Sequence, residues 1–121
     1  MTLQECYIAL EGNYDDVIGR LRSERMVQKY VLKFLEDPNF DVLCRSLEIG
    51  NLEEAFRAAH TIKGMCQNLS FTKLQLSDSM VTEKLRSGDL DGARALLDLV
   101  RRDYECTVNA ISVFRSGLFG E

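Results

Sequence analysis

Histidine, proline and clustered cysteine are scarce in this chain: one histidine, one proline, and four cysteines that stand singly at Cys6, Cys44, Cys66 and Cys106. With no Cys-x-x-Cys pair and no second histidine, the ligand spacing of a zinc site is missing. The cysteines read as small buried hydrophobes of a reduced compartment. No stretch is dominated by Pro, Ser, Gln or charge, so nothing reads as a linker or a disordered tail. No segment approaches the roughly 20 apolar residues of a membrane span, and the start lacks the basic-then-apolar pattern of a leader. A soluble, cytoplasmic chain is expected. Nor is there an excess of positive charge: 15 basic residues face 19 acidic ones, a net charge of −4. The signs are interspersed, which leaves no basic face for nucleic acid. Arg20, Arg22 and Arg25 form the one local basic cluster and read as a solvated patch.

What is present is helical punctuation. A length of 121 residues with 45% hydrophobic side chains suits one compact core and is too short for two ordinary domains. Thr2 with Glu5 fits a capping box that opens a short helix ending at Gly12. A second short piece places Tyr14, Val17, Ile18 and Leu21 on one face. These residues, 1–22, are expected to lie as a lid on the bundle formed by residues 23–121. In that bundle Met26, Val27, Tyr30, Val31, Phe34 and Leu35 make one stripe, and Pro38 interrupts it. Asn39 is expected to cap a continuation through Leu43 and Leu47. Asn51 with Glu54 starts the next helix, and Leu74, Ser77, Val81 and Leu85 outline a narrower stripe after a turn at Ser70-Phe71. Asp89 is expected to cap one uninterrupted last helix, from Ala93 through Val100 to Phe114. Short connections make neighbours antiparallel, so the expected fold is an all-α, up-down-up-down four-helix bundle with short N-terminal capping helices.

The single histidine, His60, is the first candidate for chemistry. At about 100° per residue, Leu52, Ala55, Phe56, Ala59, Ile62, Cys66 and Leu69 share one stripe, and His60 lies roughly 120° from its centre. The imidazole is therefore expected to face water. Lys63 stands one turn on, Gly64 is at i+4 and Gln67 at i+7, all toward the same side. An imidazole that accepts a phosphoryl group needs access, positive charge and no bulk beside the ring. Lys63 supplies three mobile donors. Gly64 clears the space, at a cost of about 0.8 to 1 kcal/mol relative to alanine in a helix interior, so it calls for a packing or steric reason. Glu53 and Arg57, two turns and one turn earlier, are candidates for a docking rim.

The run Ala59-His60-Thr61-Ile62-Lys63-Gly64 resembles the signature of histidine-containing phosphotransfer domains, the intermediate carriers of bacterial phosphorelays. Leu69, Leu74, Gly88 and Asp89 look like further landmarks of that family, so the resemblance covers roughly residues 26 to 114. Ser70 departs from it, standing where a second glycine is usual, and Met65-Cys66-Gln67 replaces small residues. An altered turn is expected there, and Gln67 is a candidate hydrogen-bond donor to the phosphoryl oxygens.

The resemblance implies a phosphocarrier with no kinase site of its own. His60 would take the group from a phosphoaspartate on a receiver domain and pass it to another. Its partners would be receiver domains of hybrid sensor kinases and response regulators, met as a monomer. It would need no cofactor of its own, Mg²⁺ being supplied by the receiver. An unperturbed imidazole titrates at about 6.5 and so offers a neutral nitrogen near pH 7. Positioning and cations matter more than proton transfer in such a step. Two other readings stay open: a helical adaptor that docks a receiver or another partner without phosphate, and a hydrolase with His60 as general base, which would need a concave pocket.

Overall fold

The computed structural model describes residues 1–119; residues 120 and 121, at the end of the expected bundle segment, lie outside the described residues. Every regular element among the described residues is a helix. In chain order they are α1 (Leu3–Leu10), α2 (Tyr14–Leu21), α3 (Glu24–Phe34), α4 (Asn39–Ile49), α5 (Leu52–Leu69), α6 (Thr72–Arg86), α7 (Leu90–Ala95) and α8 (Leu97–Leu118). Their starts follow the side chains that can satisfy free amides. Glu5 N–H donates to the Thr2 hydroxyl and Thr2 N–H to the Glu5 carboxylate, at 3.0 and 2.7 Å. Asn13, Ser23, Asn51 and Asp89 each accept from the amide three residues on. Such a cap contributes about 1 kcal/mol.

Two expected boundaries are corrected. Asn39 does not cap α4 but is its first, buried residue, and Pro38 stands at the cap position. Asp37 accepts from both the amide and the side chain of Asn39 at 2.9 Å, while proline, having no N–H to leave unpaired, suits the start of a helix. The last helix is not continuous. It breaks at Leu96, whose N–H donates to Ala93 O at 3.1 Å in a tightened turn. Just before the break, Arg94 Nε donates to Leu47 O at 2.9 Å and ties α7 to the end of α4.

α3 with α4, then α5, α6, and α7 with α8 make the four uprights, joined by short connections that run neighbours antiparallel. α5 lies between α4 and α6, and α8 closes against α6. Ala55, Ala58 and Ala59 are wholly buried on α5 and let its neighbours approach closely. Larger side chains, among them Leu43, Ile62, Leu74 and Ile111, fill the interior; each contributes roughly 1.5–3 kcal/mol by leaving water. Cys6 and Cys66 are buried as expected, but Cys44 and Cys106 are only half-buried; all four are free thiols.

The N-terminal helices are bonded into the bundle. α1 packs along α8 and α2 against α3, and both reach the α5–α6 turn. Tyr7 Oη donates to Leu69 O at 2.7 Å, and Asn13 N–H donates to Ser70 O at 2.9 Å. Gly12 makes this approach possible, because a Cβ there would stand 2.7 Å from Ser70 O. None of the described helices is long and apolar enough to cross a membrane.

Candidate functional site

α5 positions the site by burying one stripe and leaving another free. Ala55, Ala58, Ala59, Ile62, Cys66 and Leu69 point inward, and His60 is exposed. Phe56 and Leu52 leave the stripe expected for them: Phe56 is half-buried and Leu52 37% exposed. The alanines take the close approach to the neighbouring helices, so bulk at the margin of the stripe turns to the flank. There the Phe56 ring lies nearly parallel to the His60 ring, with centroids 5.7 Å apart and planes 13° from each other. The Arg86 guanidinium, from the end of α6, sits 5.1 Å from the Phe56 centroid. One face of the imidazole is thereby backed by an aromatic ring that a cation in turn holds.

Lys63 is half-buried one turn beyond His60. Gly64 is exposed, and a Cβ built on it would meet nothing within 4 Å. Internal packing therefore does not require that glycine; the space it leaves opens outward. Gln67 is exposed but two turns from His60, about 10.5 Å along the helix. It lines a polar recess with Asn13, Asp16, Arg20 and Ser70. Arg57 is paired with Glu54 through two bonds of 3.1 Å, an ion pair that holds the Glu54 carboxyl below its usual range. Glu53 is exposed on a shallow groove with Leu52, Phe56, Leu85 and Arg86. His60, Lys63 and Gly64 thus form one patch, with Glu53 and Arg57 on one side and Gln67 on the other.

Ser70 adopts the left-handed conformation that ends α5, with φ 56°, which costs a residue with a Cβ roughly 1–2 kcal/mol. Bonds to α2 offset that strain. Its hydroxyl donates to Asp16 Oδ2 at 2.7 Å and accepts from Arg20 at 2.9 Å. Arg20 also donates to Asn68 O and to Asp16, so it belongs to a clamp and not to a solvated patch. The Ser70 hydroxyl, and Arg20 after it, hold the Asp16 carboxyl below its usual range.

Sequence reasoning missed three residues here: Arg86 and, behind the patch, Asp78 and Thr82 on α6. Asp78 and Thr82 are both wholly buried. Burial pushes the Asp78 carboxyl up to about 8, against the opposing pull of the Thr82 hydroxyl and Lys63. Spacing was the available signal: positions 78 and 82 sit beside 74, 81 and 85 on one helical stripe.

The family model of the Hpt domain matches residues 31–110, from α3 into α8, and includes the whole His60 patch. This chain belongs to the Hpt domain family. Members of the Hpt family are histidine phosphocarriers of phosphorelays, not kinases, and they interact with receiver domains. Helices α1 and α2 lie outside the matched part of this Hpt chain. Neither the search of curated proteins nor that of solved structures finds a match.

Proposed function

We propose that this Hpt domain carries a phosphoryl group on His60 between receiver domains, taking it from the phosphoaspartate of one, as in a hybrid sensor kinase, and passing it to the aspartate of another, as in a response regulator. The observation that carries the reading is the exposed His60 ring, backed by Phe56, with Lys63 one turn away and outward space at Gly64. In the forward step a ring-nitrogen lone pair forms the N–P bond while the P–O bond to aspartate breaks, its electron pair leaving as carboxylate. The other ring nitrogen keeps the proton. The reverse step runs by the same path to the next aspartate. Negative charge spreads over the three equatorial oxygens. Lys63 offsets it from the carrier side, and the receiver brings Mg²⁺. Phe56 fixes the ring plane so that little orientation is lost on docking.

Glu53 and Arg57 serve as the rim of the docking surface, and Gln67 meets the receiver farther along α5 instead of touching the phosphoryl group. The chain acts as a monomer in the cytoplasm, where its four thiols stay reduced. The test is transfer of labelled phosphate from a panel of receiver domains charged with acetyl phosphate, with docking measured alongside. A carrier accepts alkali-stable, acid-labile label, and His60→Gln abolishes labelling while docking persists. Equal docking by both chains with no label on either would instead mark a phosphate-independent adaptor.

A further inference from the structure

The basic cluster at Arg20, Arg22 and Arg25 divides in the fold. Arg20 is drawn into the clamp on Ser70, whereas Arg22 and Arg25 are exposed and, among the described residues, have no acid within ion-pair distance. Lys29 and Lys33 share both properties. Arg25, Lys29 and Lys33 follow at intervals of four on α3 and so form one row, roughly opposite the buried Val27, Val31 and Phe34. The Tyr30 ring steadies two of them: Lys29 Nζ lies 5.7 Å and Lys33 Nζ 5.9 Å from its centroid. The row runs up to the face of α5 that carries His60. Tyr30 and Lys33 line a recess of about 160 Å³ with Met65 and Asn68 of α5. Asp37, the acid at that recess, is committed to the start of α4, where it accepts from the amide and the side chain of Asn39. Asn68 is exposed and stands about 12 Å beyond His60 along the helix. A standard interface of about 800 Å² per partner reaches about 16 Å from its centre, so a footprint centred on His60 extends to this recess.

We propose that the cation row of α3 is the electrostatic arm of the docking surface: it meets acidic side chains flanking the phosphorylation site of a receiver domain, and so steers association and selects among receivers. The proposal rests on the phosphocarrier reading. The chain as a whole carries a net charge of −4, and a receiver that holds Mg²⁺ beside its aspartate does so with carboxylates. Such an encounter is slow unless the side of approach is locally positive. Arg57 and Arg86, nearer the ring, are already paired with Glu54 and Glu83 at 3.1 and 3.0 Å, whereas the row breaks no ion pair to meet a partner. Lys33 and Lys29 make the contacts at the edge of the footprint. Arg25 and Arg22 lie farther out and act through the field, which salt screens over about 8 Å at physiological ionic strength. Charges at a rim act mainly on the rate of association and its salt dependence, so the row governs which receiver arrives and leaves the transfer step to the His60 patch.

The experiment uses the full chain and, from the panel of receivers, the domain that labels it fastest. Stopped-flow association is followed from about 20 to about 300 mM NaCl, a range over which screening changes severalfold. Wild type is compared with Lys29→Glu/Lys33→Glu and with Arg101→Glu/Arg115→Glu, which makes the same change of net charge at exposed positions of α8. At low salt the α3 variant should associate on the order of tenfold more slowly than wild type, with a weaker dependence on salt, while the α8 variant stays within about threefold. Lys29→Gln/Lys33→Gln, which removes the charges without reversing them, should fall between. Urea midpoints and transfer at saturating receiver should match wild type throughout. Equal slowing in the α3 and α8 variants, or a wild-type rate that ignores salt, overturns this proposal alone. So does unchanged receiver association in an α3 variant that no longer binds vesicles of equal parts phosphatidylserine and phosphatidylcholine as wild type does, which would mark the row as a membrane contact. If no receiver labels wild type, the proposal falls together with the carrier reading.

Discussion

Gly64 is the residue at which stability and function separate most cleanly. Since a Cβ there would meet nothing within 4 Å, replacing the glycine should help the helix by up to about 1 kcal/mol. A long side chain would nevertheless stand one turn from the ring, where the receiver must approach. Gly64→Leu is expected to keep or raise the urea midpoint. It should slow transfer to His60 by about tenfold or more, a loss of about 1.4 kcal/mol in transition-state stabilisation. Unimpaired transfer would remove the steric role assigned to this position. Much of the patch was legible because helical spacing alone puts His60, Lys63 and Gly64 outside the apolar stripe. Phe56 was not, since a ring at the edge of a stripe can face either way, and the choice was made by three alanines that let the neighbouring helices in.

Elements began where capping chemistry said they would when the expected cap was a side chain reaching its own helix, as at Thr2, Asn51 and Asp89. The departure at Asn39 was local, made by Asp37 and Pro38, but the one in the last helix goes with a distant contact. Nothing local to the Ala93–Phe114 stripe marks the break at Leu96, which lies beside the Arg94 bond to α4. The clamp on the α5–α6 turn is of the same kind: Ser70 keeps a strained backbone because Asp16 and Arg20, some fifty residues earlier, bond its hydroxyl. Gly12→Ala would push a methyl group against Ser70 O and the Tyr7 ring. Overpacking of this sort costs about 1–3 kcal/mol. A lowered urea midpoint is the expected outcome, and an unchanged midpoint would mean that α1 and α2 do not brace the turn.

The whole molecule carries the signature of Asp78 in its stability. An unfolded aspartate titrates near 3.9, while the folded carboxyl is pushed up to about 8. Between these values the native state binds a proton that the unfolded state has lost. Stability therefore falls as pH rises through this window, by up to about 1.4 kcal/mol per unit, and levels off above it. Exposed carboxylates with lowered values, Glu5, Asp16, Glu54 and Glu83, act with the opposite sign and only at more acid pH. Urea unfolding from pH 5.5 to 8.5 should show the decline in wild type and a much flatter curve in Asp78→Asn; equal slopes would contradict a buried neutral acid. The four-helix architecture itself was legible from apolar periodicity and turn spacing, because a bundle writes its core in local repeats. An acid hidden in such a repeat is visible only once the neighbouring helix is in place. The account as a whole stands on where the phosphoryl group goes, and the direct measurement is to map it. After incubation with a receiver domain charged with acetyl phosphate, the chain is digested under alkaline conditions and the phosphorylated residue located by mass spectrometry. The account predicts the group on His60; finding it on another residue instead would contradict the account.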